Sequence, residues 1–233
     1  MKNIIKSLML LSAISLFFAS GAFAYPVSTG DTIQILRSPY GWTGGGEFRI
    51  IEGGDFKFNT FCLEMNEGVT PGDSYTILSI TNAAEAGGVG GIVPLPPGSM
   101  YATGDPLSDQ TKWLYFHYVL GDLDTMGTGY TYNSNSGANA LQRAIWKLED
   151  EIGTTSDSLA DDLIAKANAA VLAGEGFGDV AALNLVTITS EGKIINRQDL
   201  LVATVPEPGT MLLFGAGLLG LVVYSKRRMS KSV

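Results

Sequence analysis

The sequence predicts an α+β fold: a mainly antiparallel β-sheet domain with a helical insertion, flanked by an N-terminal signal peptide and a single C-terminal transmembrane helix. Three observations lead there. Short runs of alternating apolar and polar residues, separated by Gly, Pro and Asp turns, fill residues 32–80 and return at 185–204. Between them lie patterns of helical period. Both chain ends carry an apolar, uncharged segment beside basic residues.

At the N-terminus, Lys2 and Lys6 precede an apolar run at 8–18 and the small-x-small triplet Ala22-Phe23-Ala24. This is the layout of a signal peptide cut after Ala24, so the Sec translocon and signal peptidase are expected partners. Residues 32–36 read as a first strand and 46–51 as a second. Glu52-Gly53-Gly54-Asp55 is a hairpin turn, and 56–63 return as a third strand. Pro71-Gly72-Asp73 turns the chain into a strand at 75–80. Residues 86–99 are rich in Gly and Pro and read as a mobile surface loop. A helix is predicted over 109–120 with Trp113, Phe116 and Leu120 as its apolar stripe, followed by a polar loop over 121–137. The next helix has Asn139 as its cap, a stripe of Leu141, Ile145, Leu148 and Ile152, and Gly153 as its stop. A third helix spans 158–172, and closing strands fall at 185–189 and 200–204. The expected organisation is a signal peptide at 1–24, one exported domain at 25–205 and a terminal segment at 206–233.

That terminal segment reads Pro206-Glu207-Pro208-Gly209, then an uncharged apolar stretch at 210–224, then Lys226, Arg227 and Arg228. The apolar stretch is short against the roughly twenty residues of a full span. The cations behind it are expected to stay cytoplasmic, which puts the rest of the chain across the membrane. The two prolines keep the preceding segment extended, as a processing enzyme requires. The three parts in this order resemble the PEP-CTERM sorting signal. The resemblance implies an exosortase as partner and a Gram-negative bacterium as host. It further implies anchoring in the inner membrane at the C-terminus before processing, then the cell surface or the exterior.

The formal charge is −8; residues 1–24 carry +2 and 206–233 carry +3, so the part between carries −13. Such acidity excludes nucleic acid and anionic membrane surfaces as partners of that part. About 180 residues form one domain with a sizeable core.

The chain has one cysteine, Cys62, in Phe61-Cys62-Leu63-Glu64 at the end of a predicted strand. An exported chain ordinarily pairs its cysteines, and no intramolecular disulfide is possible here. An inert buried thiol, an intermolecular disulfide and other cysteine chemistry remain open. Further on stands Ala140-Leu141-Gln142-Arg143-Ala144-Ile145-Trp146. The two motifs together resemble the thioester (TQXA) domains of bacterial surface proteins over about residues 46–151, although Leu141 stands where that family has Thr. The resemblance implies a thioester crosslink between Cys62 and Gln142, with Phe61 and Trp146 as shields. An amine or hydroxyl on a partner would take the acyl group.

Other candidates are weaker. His117, the only histidine, reads as structural or as a proton shuttle near the thioester; with Cys62 it suggests a hydrolase only distantly. The counts of His and Cys exclude a zinc site of those residues. Asp122 and Asp124 alternate as in a calcium loop but lack its terminal Glu. Glu149, Asp150 and Glu151 read as a solvated helix end, and Tyr130, Tyr132, Asn133 and Asn135 as a polar loop with some capacity for carbohydrate. No metal, cofactor or catalytic residue is expected. The readings of function are therefore two: a surface adhesion or crosslinking module using a thioester, or a non-covalent structural or exopolysaccharide-associated biofilm-matrix protein. Neither is an enzyme.

Overall fold

The computed structural model describes residues 24–41, 45–85, 93–94 and 103–204. The signal peptide, most of the 86–99 loop, the Pro206-Glu207-Pro208 motif, the apolar segment at 210–224 and the cations Lys226, Arg227 and Arg228 lie outside these residues. Among the described residues no helix is long and apolar enough to cross a membrane. Tyr25–Thr204 forms one compact unit.

Six strands make the main sheet: β1 (Thr32–Arg37), β2 (Phe48–Glu52), β3 (Asp55–Thr60), β4 (Ser74–Thr81), β8 (Val180–Ile188) and β9 (Ile194–Ala203). Their order is β3-β2-β1-β4-β8-β9, and every neighbouring pair is antiparallel. Gly53 and Gly54 join β2 to β3 with φ of 60° and 90°, the positive values that a tight hairpin turn demands and glycine accepts without strain. A smaller sheet of two- and four-residue strands, β5 (Ala83–Ala84), β6 (Val93–Pro94) and β7 (Thr103–Pro106), runs in the order β5-β7-β6.

The two end strands of the large sheet meet. Beyond β3 the chain runs antiparallel beside β9: Leu63 N donates to Asp199 O at 3.0 Å and Leu201 N to Phe61 O at 3.2 Å, with Cys62 opposite Leu200. Thr60 Oγ1 adds a bond to Leu201 O at 2.6 Å. The sheet thus closes on itself, which removes the exposed edges that invite aggregation.

Strand alternation divides the apolar side chains between two cores. Inside the ring lie Ile33, Ile35, Ile50, Tyr75, Ile77, Leu183, Leu185, Leu200 and Val202, together with Cys62 and Trp146. Outside it, Phe61, Leu63, Ala182, Leu201 and Ala203 face the helices. Those helices are α1 (Asp109–Leu120), α2 (Asn135–Leu148) and α3 (Ser158–Leu172). α1 and α2 pack on α3, and α1 rests on β8 and β9.

Several local expectations change. α2 is capped by Ser134, whose side chain accepts from Gly137 N at 3.0 Å, and not by Asn139. Gly137 reads as loop in the sequence, yet it is there because a Cβ would strike Thr131 O. α2 stops at Leu148 with Glu149 as its cap, before Gly153. α1 is buried through Thr111, Trp113, Leu114, Tyr115 and Tyr118, while Leu120 is exposed; a helix covered on several sides shows no single stripe. The 121–137 segment is no simple polar loop: it contains a 3₁₀ turn at Leu123–Met126, and Leu123 and Tyr130 are core residues. The closing strands begin earlier than expected and pair with each other as a long hairpin.

Candidate functional site

The site is built where β2 falls short of its partner. The β2–β3 ladder ends at the pair Phe48 and Thr60, so the next residues of the third strand have β9 on one side only. Cys62 sits opposite Leu200 between the rungs made by Phe61 and Leu63, so its own N–H and C=O face away from β9. Buried backbone groups of this kind require partners.

Gln142 supplies them. Its Oε1 accepts from Cys62 N at 2.9 Å, and its Nε2 donates to Cys62 O at 2.8 Å. The carboxamide therefore pairs with both backbone groups of Cys62, as a further strand would. Oε1 also accepts from Gly46 N at 3.1 Å. The carboxamide oxygen is thus held between two backbone N–H groups. Cys62 and Gln142 are 4% and 2% exposed, so water is largely excluded from the pair.

α2 delivers Gln142 from the same face as Trp146, one turn on. The Trp146 ring lies over Gly45: a Cβ on Gly45 would come within 2.6 Å of Trp146 Cζ2 and 3.2 Å of Gln142 Cγ. Only glycine lets the backbone come this close. Trp146 shares the inner core with Cys62, whereas Phe61 points to the helical side and meets Tyr118 edge-on with ring centroids 5.0 Å apart. Two clefts reach the pair. One of about 210 Å³ is lined by Cys62, Arg37, Glu47, Glu67 and Gln198; another of about 410 Å³ is lined by Gln142, Asn139, Arg143, Trp146 and Asp157. Gly45 lines both.

The electrostatics are acidic. Burial pushes the Cys62 thiol far above its ordinary range, and the nearby Glu64 charge adds to that. Glu64 is 1% exposed. Its Oε2 accepts from Gln198 Nε2 at 3.0 Å and Asp199 N at 3.1 Å, while Oε1 has no hydrogen-bond partner among the described residues. Burial, then the Asp199 and Glu67 carboxylates, raise Glu64 well above the usual carboxylate range. Burial raises Asp199 too, opposed by Glu85 N and Leu185 N, which both donate to its carboxylate. Glu47 is also buried but fully used, accepting from Ser38 Oγ, Asn59 Nδ2 and Tyr118 OH.

The weaker candidates are accounted for structurally. His117 Nδ1 bonds to Asp122 at 2.9 Å, and its ring packs on Trp113. That contact occupies Asp122, and no group of three or more His, Cys, Asp or Glu able to hold a metal occurs among the described residues. Tyr130 is buried, and Tyr132 OH accepts from Leu123 N and donates to the carbonyls closing α1, so both rings serve packing. Glu149 is not solvated; it is buried and accepts from Ser108 N and Oγ, tying the end of α2 to the start of α1. Glu151 accepts from Met65 N.

Sequence reasoning missed Gly46, Glu64, Gln198 and Asp199. Glu64 stands just past a bend at Leu63 and its partners Gln198 and Asp199 lie on β9, so no local pattern marks it. Among known proteins, the PEP-CTERM protein-sorting motif matches residues 204–228. The chain thus carries the signal of an exported protein sorted by an exosortase. No curated protein and no solved structure matches the chain.

Proposed function

We propose that the exported domain attaches covalently to a partner through a thioester between Cys62 Sγ and Gln142 Cδ. The observation that carries this reading is the clamping of the Gln142 carboxamide on the Cys62 backbone, with Oε1 between the N–H groups of Cys62 and Gly46. Attack of sulfur on Cδ moves charge onto Oε1, and two fixed donors at 2.9 and 3.1 Å stabilise charge developing there. Ammonia leaves and the acyl-thioester remains. A partner amine or hydroxyl then takes the acyl group, and the Cys62 thiol is freed. The reaction is stoichiometric, so the protein is consumed as a crosslinker and is not an enzyme. The setting is the surface or matrix of a Gram-negative cell after exosortase processing.

Intact mass of Tyr25–Thr204 beside its Cys62→Ala variant tests the proposal. A wild-type mass lower than calculated by one ammonia, restored in the variant, is the expected result. A full mass with unmodified Gln142 would leave the second reading, a non-covalent matrix protein. One observation favours that alternative: the same three hydrogen bonds satisfy the strand end without any chemistry.

A further inference from the structure

We propose that the cleft of about 410 Å³ along α2 binds an uncharged saccharide. Its volume falls within the roughly 300–1,000 Å³ of small-ligand sites. One wall is a single face of α2: Ser136, Asn139, Arg143 and Trp146 recur at helical spacing, and all four line the cleft. The other wall is the segment between α2 and α3, through Thr154, Ser156 and Asp157. Met65 and Ile152 add apolar surface to that of the Trp146 ring.

The chemistry of the walls selects the ligand. The side chains of Asn139, Thr154 and Ser156 have no hydrogen-bond partner among the described residues, so their donors and acceptors are open to a ligand. Arg143 donates one N–H to Thr155 O at 2.8 Å, which fixes the guanidinium, and it pairs with no carboxylate among the described residues. Asp157 Oδ1 accepts from Leu159 N and Ala160 N, while Oδ2 has no partner among the described residues. The cleft thus offers an aromatic ring together with a mixed set of donors and acceptors. A saccharide has the matching division, with apolar C–H faces and a rim of hydroxyls that both donate and accept. Charge and backbone disfavour the alternatives. Arg143 and Asp157 are the only charged residues lining the cleft among the described residues, and they cancel. The charge of −13 on the exported part repels an anionic polysaccharide. No described residue of the cleft belongs to a strand, so an extended peptide finds no edge to extend. Gln142 lines the same cleft, so a bound saccharide lies beside the carboxamide of the thioester reading. Binding itself needs no thioester and holds under either reading of function.

Affinity electrophoresis tests this on the full chain in a sugar-free detergent. Native gels contain dextran, pullulan, galactomannan or hydroxyethyl cellulose, with alginate and gelatin as the anionic and peptide probes. Wild type, Cys62→Ala, Asn139→Ala and Thr154→Ala run side by side. The two wall substitutions remove no side-chain hydrogen bond of the described fold, and a thermal melt checks that both chains stay folded. The expected result is retardation by at least one of the four uncharged polysaccharides, equal in Cys62→Ala and weakened about tenfold in Asn139→Ala. No retardation by any of the four would overturn the proposal, as would retardation by gelatin or alginate alone. Retardation left unchanged in both wall variants would place the binding elsewhere and overturn it as well. Retardation of wild type that is absent in Cys62→Ala would mark covalent attachment only, which overturns cleft binding and leaves the thioester standing. A full wild-type mass beside retained retardation would remove the thioester and leave the cleft.

Discussion

Replacing Gln142 by Ala in a Cys62→Ala background measures what the carboxamide does for the fold when no thioester can form. The substitution strips partners from three buried backbone groups: the N–H of Gly46 and the N–H and C=O of Cys62. Each orphaned group costs about 1–3 kcal/mol, so the sum lies near 3–9 kcal/mol. A water entering from the roughly 410 Å³ cleft beside Gln142 recovers part of this, giving an expected loss of about 3–4 kcal/mol. Against a domain stability of about 5–15 kcal/mol, that is a large fraction. Urea unfolding followed by tryptophan fluorescence reads it directly. With a slope of about 2–3 kcal/mol per molar urea, the midpoint falls by roughly 1–2 M. Gln142→Glu loses stability as well, since one oxygen of the new carboxylate faces Cys62 O. A loss below about 1 kcal/mol for Gln142→Ala would refute the view that the carboxamide stands in for a missing strand.

Three further outcomes are expected. Cys62→Ala in an otherwise wild-type chain separates the two functional readings: a thioester closes a loop of 80 residues and contributes about 4–5 kcal/mol by chain entropy, whereas loss of a buried thiol alone costs about 1 kcal/mol. Urea midpoints measured before and after methylamine treatment distinguish the two. Gly45→Ala drives a Cβ into Trp146 and toward Gln142, so stability drops by about 1–3 kcal/mol and alkylation of Cys62 by iodoacetamide accelerates; unchanged labelling would show that Gly45 does not hold the cover. Glu64 is held above its ordinary value of 4.5 when folded, so the native state binds its proton more tightly than the unfolded chain does. Its contribution is complete below that ordinary value and is lost as pH rises through the folded value. Stability therefore declines from about pH 4.5 upward, and Glu64→Gln flattens the decline; an equally steep profile in the variant would assign it to Asp199 and the other acids.

The elements visible in the sequence are those whose signals are local. Residues 109–120 and 158–172 match α1 and α3 because each helix has its caps directly beside it, Ser108 and Gly121 for α1 and Asp157 and Ala173 for α3. The Gly53-Gly54 hairpin was equally plain, since two adjacent glycines between alternating runs specify one kind of turn. The start of α2 was hidden by Gly137, a residue kept for a close approach to Thr131 and not for flexibility. At the site, Cys62 and Gln142 stood out through motif resemblance. Gln198 and Asp199 had no local signal: their contact with Glu64 spans 134 and 135 residues and depends on how the ring closes. The burial of Glu149 was obscured for the same reason, because its partner Ser108 lies 41 residues away.

Ring closure and the arrangement of the site have one cause. β9 must meet the strand beyond β3 to remove the sheet edges, and that contact carries Cys62 past the end of β2. The price of this overhang is a pair of buried backbone groups with no strand to bond them. A helix surface brought against the opening can offer only a side chain, and a carboxamide is the neutral group that both donates and accepts in the required geometry. Glutamine on α2 meets that need and holds its carboxamide against the backbone of the one cysteine in the chain. A carboxylate would repel Cys62 O, and an apolar residue would leave all three groups unpaired. The fold therefore requires this side chain in this place whether or not sulfur attacks it.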